Sequence, residues 1–210
     1  MANDDQIAAR GGLRPSMQPY GTFKRSYYKL TTSATVAVYV GQPIDLDGNG
    51  NATIATAGTA NGIFLAGAVV GFSRDSRGQM GLPDAMSLIT QGAYLAANVD
   101  AYVCVADDPN QEFLIQEGSA SVAQLTTANI GQTVGFSYAK ATSGDTVTGS
   151  SLAEITPVGA GATTMGSLRL VALGDNMNSD GTYNTVGVYA KWRVRIQNHR
   201  MNSQFPTSVI

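Results

Sequence analysis

From about residue 26 the apolar positions recur every second residue, the period of a strand with one face buried. Thr35 to Val40 sets Val36, Val38 and Val40 on one face. Gly41, Gln42 and Pro43 interrupt the run, and Ile44 to Leu46 resumes it. Asp47-Gly48-Asn49-Gly50 predicts a hairpin tip, because Asp-Gly and Asn-Gly supply the positive φ that tight turns need; Ala52 to Thr56 is its return strand. Ile63 to Phe72 is apolar on both faces and predicts a central strand, bulged at Gly67. A polar loop from Ser73 to Asp84 carries Arg74 and Arg77.

Ala101 to Ala106 predicts another strand, Asp107 to Asn110 a turn, and Glu112 to Gln116 its hairpin partner. Residues 119–128 are the best helix candidate, and it is short. Gln132 to Tyr138 alternates again. Residues 141–165, rich in Thr, Ser, Gly and Ala, predict a long loop or weak strands. Leu168 to Leu173 is a strand and Asp175 to Thr182 a polar loop. The last strand is the clearest. Val186, Val188, Ala190, Trp192, Val194 and Ile196 share one face, and Tyr189, Lys191, Arg193, Arg195 and Gln197 the other. Nine or ten short strands predict an all-β fold, an antiparallel β-sandwich or barrel of jelly-roll-like kind. Residues 1–25 lack either period and hold two prolines, which predicts an extended N-terminal arm before a single β domain over 26–210.

Composition narrows the function classes. The 210 residues are 43% hydrophobic but only 13% charged, with 24 glycines, which excludes a coiled coil or helical bundle. By mass scaling about 70% of the unfolded surface is buried, enough for one real core. The longest apolar run, Gly62 to Phe72, is too short for a membrane helix. The acidic opening lacks the layout of a signal peptide. One cysteine, Cys104, excludes an intrachain disulfide framework.

Candidate chemistry is sparse. His199 follows the last strand, and Cys104 lies mid-strand as a small buried hydrophobe. One His and one Cys make no His/Cys zinc set, and no nucleophile elbow or phosphate-binding glycine loop is present. The expectation is no catalytic residue, no cofactor and no metal. Asp45-Leu46-Asp47-Gly48-Asn49-Gly50 matches the start of a calcium loop, but Thr56 stands where the bidentate Glu belongs; a hairpin tip is the simpler reading.

Charge is unevenly placed. Residues 1–30 carry a net +3, residues 191–210 a net +4, and the rest −9, for a total of −2. Basic ends on an acidic body predict ends that touch something else, or fold back on that body. Lys191, Arg193 and Arg195 could follow a phosphate backbone. An acidic body repels the same polyanion, so docking to a protein fits the charge map better, with no direct nucleic-acid or membrane partner.

Four segments carry a family resemblance: MANDDQIAARGGLRP (residues 1–15), VYVGQPI (38–44), VADDPNQEF (105–113) and AKWRVRIQNH (190–199). They resemble small structural proteins of tailed bacteriophages that act as capsid cement or head-decoration proteins. The segment from Gly41 to Ile44, followed by a hairpin and Ala66 to Gly71, is similar to the β-barrel pattern of phage decoration proteins more broadly. The resemblance implies a virion structural protein, made in the bacterial host cytoplasm, that binds the outside of the icosahedral capsid. Such proteins are homo-oligomers, dimers or trimers here, that bridge neighbouring major capsid proteins. The contact residues to the shell or a sister subunit would then be Arg10, Arg14, Lys24 and Arg25 from the arm and Lys191, Trp192, Arg193 and Arg195 from the last strand, with Trp192 as the anchor. The competing reading is a tail or receptor-binding β module recognising a host glycan, which would need an exposed aromatic platform. An enzyme is disfavoured for want of a nucleophile–base pair.

Overall fold

The computed structural model describes residues 11–16, 24–30, 36–56, 63–73, 94–97, 101–118, 124–138, 144–145, 149–156, 166–175 and 182–201. In chain order the first strands are β1 (Arg14–Pro15), β2 (Arg25–Lys29), β3 (Val38–Tyr39), β4 (Pro43–Leu46), β5 (Ala52–Ile54), β6 (Gly67–Ser73), β7 (Tyr94–Leu95) and β8 (Tyr102–Ala106). They are followed by β9 (Glu112–Gln116), β10 (Thr133–Tyr138), β11 (Gly144–Asp145), β12 (Ser150–Ser151), β13 (Ala153–Thr156), β14 (Leu168–Leu173) and β15 (Lys191–Ile196). The fold is all-β and its strand pairs are antiparallel, as the period-two pattern predicts.

Two sheets build the body. One has six strands in the order β1-β9-β15-β14-β10-β13, the other five in the order β2-β8-β6-β4-β5. A bridge between Leu30 and Ala52 brings the two edges of the five-stranded sheet together, so that sheet is strongly curled. Its concave side holds Leu30, Ile44, Val69, Phe72, Val103 and Val105, closed by Val38 and Leu95 of the β3–β7 ribbon. Ala68 and Ala106 instead join Phe113, Ile115, Phe136, Leu168, Trp192 and Val194 of the six-stranded sheet in a second core. Both alanines are fully buried where the two sheets meet.

Two bulges set which side chains face each core. The β6–β8 register shifts between Val69 and Gly71, so Val69 and Phe72 share the concave face although three residues apart. The bulge lies there, not at Gly67. The β14–β15 register shifts between Leu170 and Ala172. That keeps Leu173 toward the core and puts Ala172 outside, opposite Arg193. An extra residue in one strand inverts the alternation that follows it.

Several expectations are corrected. Glu112 to Gln116 is not the hairpin partner of Ala101 to Ala106: β8 lies in the curled sheet and β9 between β1 and β15. Residues 107–111 therefore cross from one sheet to the other. The described part of the helix candidate 119–128 is irregular except for one 3-10 turn at Thr127–Asn129. There the Glu117 carboxylate accepts the Leu125 N–H at 2.9 Å, and the Asn129 side chain accepts the Thr126 N–H at 2.8 Å, which occupies donors a helix would use. The last strand begins at Lys191 rather than Val186, because Gly187 (φ 144°) and Tyr189 (φ 61°) turn the chain before it. The stretch 141–165 contributes a true core strand, β13, whose Ile155 is buried.

Within the expected arm, the described residues 11–16 pack against the body. Leu13 is fully buried, and β1 pairs with β9 at the edge of the six-stranded sheet. The Leu13 N–H donates to the Gly41 carbonyl at 2.8 Å. Gly12 has φ +62°, and a Cβ there would lie 2.2 Å from the Gly41 oxygen. Two glycines thus let the chain cross over itself and seat Leu13 in the core. Residues 1–10 and 17–23 lie outside the described residues.

Candidate functional site: a cationic sheet face

Strand alternation sends Trp192, Val194 and Ile196 into the core, so Lys191, Arg193 and Arg195 face outward. Cross-strand register assembles the rest of this face. One row reads Arg14, Leu114, Arg193 and Ala172 across β1, β9, β15 and β14. The next reads Glu112, Arg195, Arg169 and Thr133 across β9, β15, β14 and β10. Lys191 stands opposite Gln116 in the row beyond. With strands about 4.8 Å apart and same-face neighbours about 7 Å apart along a strand, five cations share a patch roughly 15 Å across.

Among the described residues, the carboxylate that pairs with this patch is Glu112. Glu112 Oε1 accepts from Arg195 Nη2 at 2.9 Å, and Glu112 Oε2 lies 3.8 Å from Arg193 Nη1. Arg195 is also directly opposite Arg169, a like-charge pair that costs stability in a sheet. Gln116 is only 2% exposed, yet neither amide atom makes a hydrogen bond; Arg193 Nε is likewise buried and unbonded. These polar atoms forgo solvent without a partner, which is unfavourable in an isolated subunit.

The eight residues singled out from the sequence separate into groups. Arg14, Lys191, Arg193 and Arg195 come together on this face. Lys24 and Arg25 lie on the other sheet, at its β2 edge, with Arg25 opposite Ala106. Arg10 lies outside the described residues. Trp192 is a correction: it is wholly buried in its own core, so it cannot be the anchor for a partner. Sequence reasoning missed Arg169. Its signal is a single charge at an alternating position in the otherwise apolar Leu168 to Leu173.

Beside the curled sheet lies a second polar group. The Tyr28 hydroxyl donates to Asp107 Oδ2 at 2.7 Å, while Asp107 Oδ1 is buried without a hydrogen bond. Burial, and then Asp107, push the Tyr28 phenol up to about 12. His199 is buried where Leu65 bridges to it; its Nδ1 accepts the Met201 N–H at 3.1 Å and its Nε2 is unbonded. Burial lowers its pKa against the opposing pull of Asp107. Burial raises the Cys104 thiol, which keeps it protonated and inert.

The acid-rich hairpin tip is internally occupied. Arg200 Nε and Nη2 donate to the two Asp45 oxygens at 2.8 and 2.5 Å, and its guanidinium stacks 4.8 Å over the Phe64 ring. Asp47 Oδ1 accepts the Asn49 and Asn51 N–H groups at 2.8 Å. Among the described residues no three His, Cys, Asp or Glu side chains converge to hold a metal ion. No protein family, no curated protein and no solved structure matches this chain.

Proposed function

We propose that this chain is a phage virion structural protein that binds the outside of the icosahedral capsid as a cement or decoration protein. In this reading the cationic face of the six-stranded sheet docks on acidic surface of the major capsid protein, and one subunit bridges neighbouring shell proteins. The observation that carries the reading is the gathering of Arg14, Arg169, Lys191, Arg193 and Arg195 on one face with Glu112, in a chain of net charge −2. A sheet face that tolerates Arg195 opposite Arg169 is better explained by use than by stability. The all-β body and the four resembling segments support the same reading.

The test is binding of the purified chain to heads from a phage lacking it, followed by co-sedimentation across a salt series. Binding that weakens as salt rises, and is lost in R193E/R195E, supports the proposal. Binding indifferent to both salt and charge reversal refutes the cationic face as the docking surface.

A further inference from the structure

The docking face as described is charged, and its apolar members Leu114 and Ala172 are half-buried between the cations, so it presents no protruding apolar side chain. Interfaces take most of their energy from a few packed anchors, with Tyr, Trp and Arg prominent. Trp192 is unavailable for that role because it is buried. The loop 182–190, which leads into β15, presents Tyr183 at 75% and Val186 at 41% exposure.

This loop is held in place from within. Asn184 is buried, and its Nδ2 donates to the Gly174 and Lys191 carbonyls at 2.8 Å each. Its Oδ1 accepts the Lys191 N–H at 2.9 Å. The fixed end of the loop is therefore the first residue of the cationic strand. Tyr189 is the one non-glycine described residue with positive φ, 61°. Backbone strain of this kind concentrates at segments whose shape is used. A pinned, strained loop pre-orders its exposed side chains and lowers the entropy lost on binding.

We infer that loop 182–190 supplies the apolar anchor of the docking face, with Tyr183 and Val186 entering an apolar recess in an acidic protein surface. The inference rests on the docking reading above and names the feature its partner must have. A phosphate backbone offers nothing to receive Val186. A second copy meeting the same face would set like charges against each other. An acidic protein with a recess beside its carboxylates satisfies both the charge and the apolar side chains.

The experiment measures the affinity of the chain for heads lacking it, at one fixed salt concentration, for four proteins. These are the unmodified chain, Y183A/V186S, Tyr183→Phe and R193E/R195E. The inference predicts that Y183A/V186S binds at least about tenfold more weakly, that Tyr183→Phe stays within about threefold, and that neither change shifts the melting temperature. If the unmodified chain binds, R193E/R195E does not, and Y183A/V186S binds like the unmodified chain, the anchor is refuted while the docking reading stands. If the unmodified chain fails to bind heads, both fall. Binding of a single-stranded oligonucleotide that Y183A/V186S abolishes would also overturn the inference, by assigning the loop to nucleic acid.

Discussion

The Trp192 indole N–H donates to Glu117 Oε2 at 3.0 Å, and both residues are fully buried. Glu117 Oε1 accepts the Leu125 N–H at 2.9 Å. One buried carboxylate therefore ties the β15 strand to the segment after β9. Replacing Trp192 by Phe keeps an aromatic ring but removes that donor. The expected loss is about 1–3 kcal/mol in urea unfolding, with a larger loss, about 3–5 kcal/mol, for Trp192→Ala. A Trp192→Phe variant as stable as the parent would contradict a structural role for this hydrogen bond.

The crossing of Gly12 and Gly41 makes a prediction about the N-terminal segment. Gly12→Ala places a Cβ against the Gly41 carbonyl at a left-handed φ. The expected cost is at least about 1–3 kcal/mol, read as a lower melting temperature. Deletion through residue 16 takes Leu13 out of the core, so it should destabilise the body and not merely weaken binding. A deletion variant with unchanged melting temperature would show that Leu13 contributes nothing to the core.

Acid should loosen the seam at His199. Its folded pKa is lowered by burial, with Asp107 and Asp108 opposing and Lys24 reinforcing that shift. The unfolded chain, with an ordinary value near 6.5, then binds the proton more readily than the folded one. This contribution to stability is fully present above about pH 6.5 and is lost as pH falls below it toward the folded value. Melting temperature should therefore decline from pH 7 to pH 5, and His199→Gln should flatten that decline. An identical pH profile for the variant would exclude His199 as the cause.

Gln116 offers a test of the unbonded polar atoms on the cationic face. Replacing it by Met keeps the shape and removes two unsatisfied groups. Stability should stay level or rise by about 1 kcal/mol, read in urea unfolding. A marked destabilisation would mean that the amide is satisfied in the subunit itself.

Strand positions were largely legible from the sequence because a half-buried strand writes its own alternation. β15 is the clearest case: Trp192, Val194 and Ile196 alternate with Lys191, Arg193 and Arg195, and burial follows that order. The hairpin tip at Asp47–Gly50 was legible from its turn residues. What did not follow was non-local. Nothing in residues 101–116 distinguishes a hairpin from a crossing between sheets, since the same turn residues serve both. The bulges that re-aim Phe72 and Leu173 depend on the partner strand. Arg14 and Arg169 became part of one site only through the register that aligns β1, β9, β15 and β14. Trp192 misled because a large aromatic among charges reads as an anchor, whereas the strand period already assigned it inward.

The central claim is that the chain covers a shell lattice. Quantitative mass spectrometry of purified virions, counting copies of this chain against the major shell protein, tests it most directly. The account predicts a ratio near one or a simple fraction of one. A handful of copies per particle, or absence from it, would contradict it.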